Sequence, residues 1–523
     1  MAIDPNHDDK SAVQALGAGA VGAVTGGPGL LVALHGYGDQ PLTALSWGRR
    51  IAPPDWDVIA PCAQPDRSGQ NSWFSTGPRG VDPHEIGDSM DRIESLLVEA
   101  SARGSRVALA GFSQGAALAL AMAWRGTVAE RVVAICGFFP EADGQPHLPN
   151  GTKPSPLLII GTDGDTEVPA FLGQDAAAMF EHAGHVVTNM TVQGRHHIDA
   201  SVAGIAADYV YGLTPKRPWI SVGIPVERVE YAGEFLSGDA ISEIAQRYEQ
   251  LGFHAGYVTD HPAPDDRWLT GGGHQALEPV TALSAVAVAT KKLKVHTNVY
   301  VLPYRNPFLA AKGLASVDAI SGGRLIAGVA AGYVRPEFSA LGVDFERRGQ
   351  LLEEALTVLP RIWSGESFHG EGQGWETRSA TSLPATYGGP PLWIGGNSKA
   401  AMRRAVTLAQ GWSPMPTPAG SGRGLKTAEI VDHSALKERL AEATELCESV
   451  KRPTPLTICF VPFGMGAYMS DPRGRLGMLA DEINELFEIG VDWFPLMVPG
   501  NSRSELLDNA AALAESLGLV SST

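Results

Sequence analysis

Short, continuous runs of apolar residues alternate with Ala- and Leu-rich stretches along the first part of the chain. The clearest runs, most with Gly or Pro close by, are Leu30–Leu34, Val58–Ala60, Val107–Ala110, Val132–Ile135 and Leu157–Ile160. Strands that are apolar on both faces and separated by helices are typical of a parallel sheet covered on both sides. This pattern predicts an α/β sandwich.

The rest of the chain repeats a strand-then-helix unit, and its eight strand candidates are Ile220–Ile224, Ala255–Asp260, Val295–Val301, Leu325–Val329, Leu392–Gly395, Gly411–Pro414, Leu456–Val461 and Trp493–Val498. Eight strands with helical runs between them predict a (β/α)8 TIM barrel. A Gly-, Thr- and Ser-rich gap from Glu366 to Pro391 predicts an insertion over one end of that barrel.

The two patterns meet at a short segment that favours neither helix nor strand. Gly212–Pro218 contains two prolines and two basic residues, and proline interrupts both regular structures. The chain of 523 residues also exceeds the roughly 250–300 residues at which single cores stop growing. We therefore predict two domains, residues 1–215 and 216–523.

Composition narrows the functional class. Hydrophobic residues make up 44% and charged residues 19% of the chain, which excludes a mainly disordered protein. A net charge of −17 argues against a nucleic-acid partner, which needs a basic stripe. The polar start, the four widely spaced cysteines and the lack of a long uninterrupted apolar stretch predict a cytoplasmic protein with reduced thiols and no membrane partner.

The sharpest chemical signal is a G-x-S-x-G motif at Gly111–Gly115, which follows a buried strand and opens an Ala/Leu helix. This strand–turn–helix context is that of a nucleophile elbow, so Ser113 is a candidate nucleophile. Upstream, Leu34–Asp39 follows the first strong strand. The backbone amides of Tyr37 and Gln114 are candidates for an oxyanion hole.

Candidate acids and bases follow in the order of an α/β-hydrolase, first the acid and then the histidine. Asp163 and Asp165 come directly after the Leu157–Ile160 strand, and His196 and His197 lie further on. The imidazole would take the serine proton, and the carboxylate would fix its tautomer. From the residues alone, both choices within each pair stay open.

These motifs resemble the phospholipase/carboxylesterase family of small α/β-hydrolases over nearly all of residues 27–212. The residues that carry the resemblance are His35–Asp39, Ser72–Phe74, Gly111–Gly115 and Asp165–Pro169. It implies a carboxylesterase acting on small-molecule esters. It favours Asp165, because the family acid precedes x-x-Val-Pro, although the long spacing from Gly161 keeps Asp163 possible. The family histidine is followed two residues later by Ile or Leu, and this pattern selects His196. The spacing from Gly194 instead selects His197.

In the predicted barrel, polar or glycine residues stand at strand ends, where barrel enzymes keep their sites. They are Thr259–His261, Thr297–Val299, Gly328–Tyr333 and Gly395–Ser398. The last of these opens into a helix whose free amides are suited to a phosphate. His254, His261 and His274 lack regular metal-ligand spacing, so we predict no metal site.

This part of the chain resembles the luciferase-like monooxygenases, in the branch similar to coenzyme F420-dependent oxidoreductases, over residues 219–500. The resemblance is carried by Tyr300–Leu325, Ala340–Gly349 and Pro391–Ala401. It implies F420, or alternatively FMN, as the cofactor and a redox substrate of low molecular mass. The cofactor-binding residues that it implies are Asp260, His261, Asn298, Val299, Gly332, Gly395, Gly396, Asn397 and Ser398.

The resemblance further implies that Asp260 and His261 lie beside the ring, with His261 as proton donor or acceptor. It implies a cis Asn298–Val299 peptide, and barrel relatives commonly pair as homodimers. Members acting on glucose 6-phosphate have an acid after the fourth strand and a Trp after the Asp-His pair. Here Tyr333 and Pro262–Asp265 stand in those places, which disfavours that sugar.

Together the two resemblances predict a bifunctional fusion of a serine carboxylesterase with an F420-dependent oxidoreductase or monooxygenase. The two reactions are expected to be consecutive steps on one compound, for example oxygen insertion beside a ketone followed by hydrolysis of the ester. The alternatives are an FMN-dependent fusion, or an esterase whose barrel is only a binding or dimerisation scaffold.

Overall fold

The computed structural model describes residues 21–77, 80–141, 155–214, 216–386, 389–417 and 428–520. The chain divides into two compact units, Met1–Thr214 and Pro215–Thr523. Each unit has its own hydrophobic core. None of the helices in the described ranges is both long and apolar enough to cross a bilayer.

The first unit is built on a seven-stranded sheet. Its strands are β1 (Val21–Ala23), β2 (Gly29–Leu34), β3 (Asp57–Ala60), β4 (Arg106–Phe112), β5 (Arg131–Ile135), β6 (Leu157–Thr162) and β7 (Val187–Val192). Their order is β1-β3-β2-β4-β5-β6-β7, and only β1 runs antiparallel to its neighbour. Every residue of β2 and β6 is buried, as expected for a sheet covered on both faces.

The helices of this unit are α1 (Pro41–Ile51), α2 (Pro83–Ala102), α3 (Gln114–Arg125), α4 (Ala170–His182) and α5 (Ala200–Tyr211). Two short antiparallel hairpins pair Gln64–Pro65 with Asn71–Ser72 and Thr76–Gly77 with Gly80–Val81. The predicted α/β-hydrolase sandwich is confirmed.

The second unit contains eight parallel strands. They are β8 (Trp219–Gly223), β9 (Ala255–Val258), β10 (Lys294–Val301), β11 (Leu325–Ala330), β12 (Leu392–Gly395), β13 (Gly411–Ser413), β14 (Thr457–Ile458) and β15 (Trp493–Leu496). The hydrogen-bonded order runs β14-β13-β12-β11-β10-β9-β8-β15. A parallel bridge between Cys459 and Trp493 joins the two ends, so the predicted TIM barrel is confirmed.

Helices surround this barrel: α6 (Ala232–Phe235), α7 (Gly238–Gln250), α8 (Asp266–Thr270), α9 (Pro279–Ala289), α10 (Pro307–Ser321), α11 (Arg335–Ala340), α12 (Arg348–Trp363), α13 (Lys399–Leu408), α14 (His433–Ser449), α15 (Met465–Ser470), α16 (Leu476–Glu488) and α17 (Arg503–Ser516). Single 3₁₀ turns cover Val229–Tyr231, Leu302–Tyr304 and Phe345–Arg347. Within the predicted insertion, Phe368–Gly372 pairs with Trp375–Ala380 as an antiparallel hairpin.

The barrel strands alternate between the helical layer and the interior. Ile220, Val222, Leu325, Ala327, Val329, Leu392 and Ile394 pack in the large core that also includes helix residues. Their strand neighbours therefore face inward. A separate inward cluster contains Trp219, Trp393 and Trp493. At the carboxyl ends of β8, β11 and β12, the inward positions are Gly223, Ala330 and Gly395. We call the opening at the carboxyl ends of the strands the barrel mouth. These three strands project nothing longer than a methyl group into it.

Candidate active sites

Ser113 lies in a tight turn between β4 and α3. Its φ is +53°, an unusual backbone conformation for a non-glycine residue. The flanking glycines permit the turn. A Cβ on Gly111 would lie 2.1 Å from the Gly115 carbonyl oxygen, and a Cβ on Gly115 would lie 2.4 Å from that of Leu34. Neither distance is compatible with a side chain, so the turn requires glycine at both positions.

The structure brings Ser113, His196 and Asp165 together in one chain of hydrogen bonds. His196 Nε2 lies 2.9 Å from Ser113 Oγ, and His196 Nδ1 lies 2.7 Å from Asp165 Oδ2. The other oxygen of Asp165 accepts from the amides of Glu167 and Val168 at 2.9 and 2.8 Å. A carboxylate with these donors makes Nδ1 the protonated nitrogen, which leaves Nε2 to accept the serine proton.

The other members of the two predicted pairs lie elsewhere. Asp163 is exposed, and its Oδ1 accepts from the amide of Gly194 at 3.0 Å. The amide of His197 donates to the Arg195 carbonyl at 2.7 Å. The geometry therefore joins Asp165 and His196 to Ser113. Asp163 instead fixes the loop that carries the histidine.

The predicted oxyanion residues lie on either side of the serine. A Cβ built on Gly36, the residue before Tyr37, would lie 3.4 Å from Ser113 Cβ, so this loop passes against the nucleophile. Gln114 begins α3, where backbone amides have no intrahelical acceptor. The Gln114 side chain donates to the Phe74 carbonyl at 2.8 Å and accepts from the Trp73 amide at 3.0 Å. It thereby attaches the Ser72–Phe74 motif to the elbow.

His35 holds the loop that contains Gly36 and Tyr37. Its Nδ1 lies 2.7 Å from the Gly36 carbonyl oxygen, and its Nε2 accepts from the Ala63 amide at 3.1 Å. The ring is fully buried, and burial lowers the pKa of His35. A neutral ring with Nδ1 protonated satisfies both contacts. His35 is therefore a structural residue of the loop that holds Tyr37.

Cys136 is a neighbour of the triad that the sequence did not indicate. It follows β5 with a φ of +49°, and its Sγ lies 3.6 Å from Thr162 Oγ1. One ligand atom each from Cys136, Asp165 and His196 lies within 4.8 Å of the others. A lone cysteine gives no motif. The only available signal was its place at the end of a strand between those that precede Ser113 and Asp165.

In the barrel, Asp260 forms a buried ion pair. Its side chain is buried, with Oδ2 2.6 Å from Arg305 Nη1 and Oδ1 2.9 Å from Arg305 Nη2. Oδ2 also accepts from the Val301 amide at 2.8 Å. Both oxygens are thus engaged in a bidentate ion pair that fixes the strand end. Asp260 holds the loop in place, and His261 next to it is the residue that faces further polar groups.

His261 is paired with a buried carboxylate. Its Nδ1 lies 3.4 Å from Glu337 Oε2, which also accepts from the Tyr304 hydroxyl at 2.7 Å. Burial alone would raise the pKa of Glu337, but the hydrogen bonds from His261 and Tyr304 lower it on balance. Burial and the Glu337 contact raise the pKa of Tyr304. The result is an ionised Glu337 that orients the His261 ring.

Two further side chains surround His261. The Trp268 ring is 4.3 Å from the His261 ring, and the His274 ring is 4.8 Å from it. Burial lowers the pKa of His274. A carboxylate, Glu337 on α11, and an indole, Trp268 on α8, thus both contact His261. Neither was singled out from the sequence, because neither follows the strand end directly.

The predicted ring-supporting peptide, Asn298–Val299, is cis in the structure. It lies where the pairing of β10 with β11 shifts register. Gly332, after β11, has a φ of +80°. A Cβ there would approach Val301 Cγ1 to 2.7 Å, so this glycine allows close packing behind the loop.

The Gly395–Ser398 turn differs in part from the prediction. The Asn397 side chain is fully buried, donates to the Thr417 hydroxyl and accepts from the Met415 amide. It is therefore a structural residue and is unavailable to a phosphate. Ser398 Oγ caps α13 by accepting from the Ala401 amide at 3.1 Å, while the Gly396 amide donates to the Ser413 carbonyl. The backbone amides at the start of α13 remain the phosphate-binding candidates.

The barrel mouth fits a planar cofactor. Gly223, Ala330 and Gly395 place no side chain longer than a methyl group there. Neighbouring side chains lie close to them, since a Cβ on Gly223 would be 3.3 Å from the Tyr257 ring and one on Gly395 would be 3.1 Å from Val299 Cγ1. The cis peptide at Asn298–Val299 and the oriented His261 border the mouth. Residues of this kind would position the ring of a flavin or deazaflavin.

Comparison with known proteins agrees with the division of the chain into two units. The fold joins an α/β-hydrolase unit to a TIM barrel. Residues 28–212 match the family model described as phospholipase/carboxylesterase. Residues 222–443 match the one described as luciferase-like monooxygenase. Each unit thus matches a different family model, which confirms both resemblances.

Individual relatives match part of the chain. The F420-dependent glucose-6-phosphate dehydrogenase of Microbacterium testaceum is 28% identical over 41% of this chain and 62% of its own length. The FMNH2-dependent dimethylsulfone monooxygenase of Pseudomonas putida is 31% identical over 37% of this chain and 52% of its own. The chain thus spans between half and two thirds of these relatives. Monooxygenase RslO1 from Streptomyces bottropensis is 18% identical, with coverages of 57% and 98% and a TM-score of 0.45.

Proposed function

We propose that the first domain is a serine carboxylesterase. The observation that carries this proposal is the unbroken hydrogen-bond chain from Ser113 through His196 to Asp165. Ser113 Oγ attacks the ester carbonyl while His196 Nε2 takes its proton. The amides of Tyr37 and Gln114 stabilise the oxyanion. His196 then protonates the leaving alcohol, and water releases the acid by the reverse sequence.

A fluorophosphonate probe tests this proposal, because only an activated serine reacts with it. We expect labelling of the full-length protein and its loss in Ser113→Ala. The matched control is Ser68→Ala, on the exposed loop beside Asp66, which should label normally. Labelling that survives in Ser113→Ala, or a folded wild type that does not label, contradicts the proposal.

We further propose that the second domain binds coenzyme F420, with reduced FMN as the alternative. Relatives with either cofactor support one of this class. The amides at the start of α13 would hold its phosphate, and the Asn298–Val299 peptide would support its ring. Such a group supplies hydride or electron transfer when bound. His261, oriented by Glu337, moves a proton to or from the substrate oxygen.

The cofactor is identified by titrating the purified full-length protein with F420 and with FMN and following fluorescence. We expect tighter binding of F420. His261→Asn should bind it with similar affinity but turn over slowly, because the proton-transfer group is lost. Binding of neither cofactor would leave the barrel as a scaffold, and preferential binding of FMN would establish the alternative.

We propose that the two reactions are consecutive. In one order, a ketone, O2 and a two-electron-reduced flavin give an ester, water and oxidised flavin, and the first domain hydrolyses the ester. In the other, ester hydrolysis exposes a substrate for hydride transfer. Ser113→Ala separates these orders, since it should accumulate the ester from a ketone in the first. Reduction products without ester would exclude that order.

A homodimer through the barrel is also proposed. α9 contains no charged residue, yet Val288 on it is 73% exposed, and Leu309 on α10 is 72% exposed. Large exposed apolar side chains on neighbouring helices are typical of an interface. The double variant Val288→Glu/Leu309→Glu should sediment as a monomer. Val186→Glu, at an exposed position of the first unit, is the control. A wild type that is monomeric at micromolar concentration contradicts the proposal.

A further inference from the structure

We propose that the triad of the first domain contains an inhibitory site for a thiophilic divalent cation such as Zn²⁺, formed by Cys136, Asp165 and His196. The binding site itself follows from the side-chain geometry. Its effect on ester hydrolysis rests on the function proposed above. Among the described residues, this is the group of His, Cys and acidic side chains whose ligand atoms converge, within 4.8 Å of one another.

The donor set is chemically suited to zinc. Thiolate sulfur, imidazole nitrogen and carboxylate oxygen are its usual ligands, at about 2.0–2.3 Å, with water in an open fourth position. The three atoms must therefore draw together by on the order of 1 Å, which side-chain rotation supplies. Exposed acidic clusters attract cations only weakly. Here the cysteine and the carboxylate are both buried, so the ligands are already desolvated and close together.

Cys136 is held in this position by its backbone. Its φ of +49° is maintained by a hydrogen bond of 2.7 Å from its amide to the Ile160 carbonyl. The residue is 1% exposed, so its thiol is shielded from solvent. Metal binding releases the thiol proton to solvent, and the single N–H proton of the neutral His196 ring moves from Nδ1 to Nε2.

Inhibition follows from the tautomer of His196. A cation that takes Nδ1 and the Asp165 carboxylate replaces the proton that normally joins them at 2.7 Å. The neutral imidazole then carries its single hydrogen on Nε2, which faces Ser113 Oγ at 2.9 Å. An Nε2–H group donates and cannot accept the serine proton. The nucleophile is thereby inactivated while it stays in place.

An acidic side chain marks the entry side of this site. Glu167 Oε2 lies 3.9 Å from His196 Nε2, and the Glu167 side chain is 74% exposed. This carboxylate can bind the hydrated cation before it reaches the buried ligands. The imidazole itself is 11% exposed, so solvent reaches the ring that must coordinate.

The first experiment measures binding without reference to activity. Co²⁺ is added to the full-length protein and the thiolate-to-cobalt absorption in the near ultraviolet is recorded. We expect a saturable band that is absent in Cys136→Ser and retained in Cys62→Ser, the matched cysteine control outside the cluster. His196→Asn should weaken cobalt binding at least about 10-fold, since even outer-shell losses cost 10–100-fold. No band, or a band that Cys62→Ser removes, overturns the proposal.

The second experiment measures Zn²⁺ inhibition of ester hydrolysis. Cys136→Ser should raise the half-inhibitory concentration at least about 10-fold, and Cys62→Ser should not change it. Equal inhibition of wild type and Cys136→Ser overturns the proposed site. The two proposals fail separately. If Ser113 proves inactive, the cobalt band in Ser113→Ala still decides the metal site, because the serine is not a ligand.

Discussion

Asp165→Asn is the most informative single change in the hydrolase site. In the wild type, Asp165 Oδ1 accepts two backbone N–H groups, from Glu167 and Val168, and Oδ2 faces His196 Nδ1. An asparagine must place its carbonyl oxygen towards the two backbone donors. Its NH2 group then faces Nδ1 and donates to it. His196 is forced into the Nε2–H tautomer, which cannot accept a proton from Ser113.

The expected magnitude follows from this geometry. All hydrogen bonds of the wild type are replaced by others, so the free energy of unfolding should change by less than about 1 kcal/mol. The substitution instead destabilises the transition state, because His196 has the wrong tautomer and its imidazolium form has lost the carboxylate that balances its charge. Comparable changes in serine hydrolase triads lower kcat about 10⁴-fold, or about 5 kcal/mol.

The assay is hydrolysis of a chromogenic short-chain ester by the full-length protein, with thermal melting as the check on folding. Asp163→Asn is the control, because that carboxylate is exposed and accepts from the Gly194 amide rather than from His196. We expect it to change kcat/KM by less than about 3-fold. An Asp165→Asn variant within 10-fold of wild type, or a larger loss in Asp163→Asn, would refute the triad assignment.

Three other changes give distinct outcomes. Gly115→Ala puts a Cβ 2.4 Å from a β2 carbonyl oxygen and should lower the free energy of unfolding by at least about 2 kcal/mol, whereas Gly87→Ala, in open space on α2, should not. Glu337→Gln replaces the charged acceptor that faces His261 Nδ1 and the Tyr304 hydroxyl and should lower the kcat of the barrel reaction without weakening cofactor binding. Burial raises the pKa of Asp492 from 3.8 to about 6. Asp492→Asn should therefore gain up to about 3 kcal/mol over wild type between pH 4 and 7 in urea unfolding.

The part of the hydrolase site that is formed by consecutive residues was predictable from the sequence. The elbow at Ser113 follows from two glycines that must approach backbone carbonyls, and such requirements are visible in five consecutive residues. The choice of Asp165 over Asp163 depends on which carboxylate receives the amides of the following turn, which spacing alone leaves open. Cys136 was not predictable as a neighbour of the triad, because its contact depends on the side-by-side pairing of β5 and β6.

In the barrel, more of the polar contacts join residues that are far apart in the sequence, and these contacts were not predictable. The closed sheet was predictable from eight apolar runs, because the residues that mark a strand lie within the strand itself. The ion pair of Asp260 was not predictable, because its partner, Arg305, is 45 residues away. The contacts of the Asn397 side chain with the 415–417 loop were likewise not predictable, because that loop lies about 20 residues further along the chain. Long-range polar pairing was the information that the sequence lacked.

The environment of His261 also changes the argument about substrate. The structure places a carboxylate, Glu337, and an indole, Trp268, beside His261. The expectation against glucose 6-phosphate then depends on its phosphate, which needs a cationic side chain that is not already paired. The guanidinium near this site, Arg305, is bound at both terminal nitrogens by Asp260 and stacks 4.0 Å from the Tyr300 ring. An arginine whose charge is neutralised by a buried carboxylate has little affinity left for a dianion. We therefore expect neutral alcohols or ketones to be turned over faster than glucose 6-phosphate in a direct assay of F420 reduction or oxidation. Faster turnover of the sugar phosphate would show that another cation reaches the mouth.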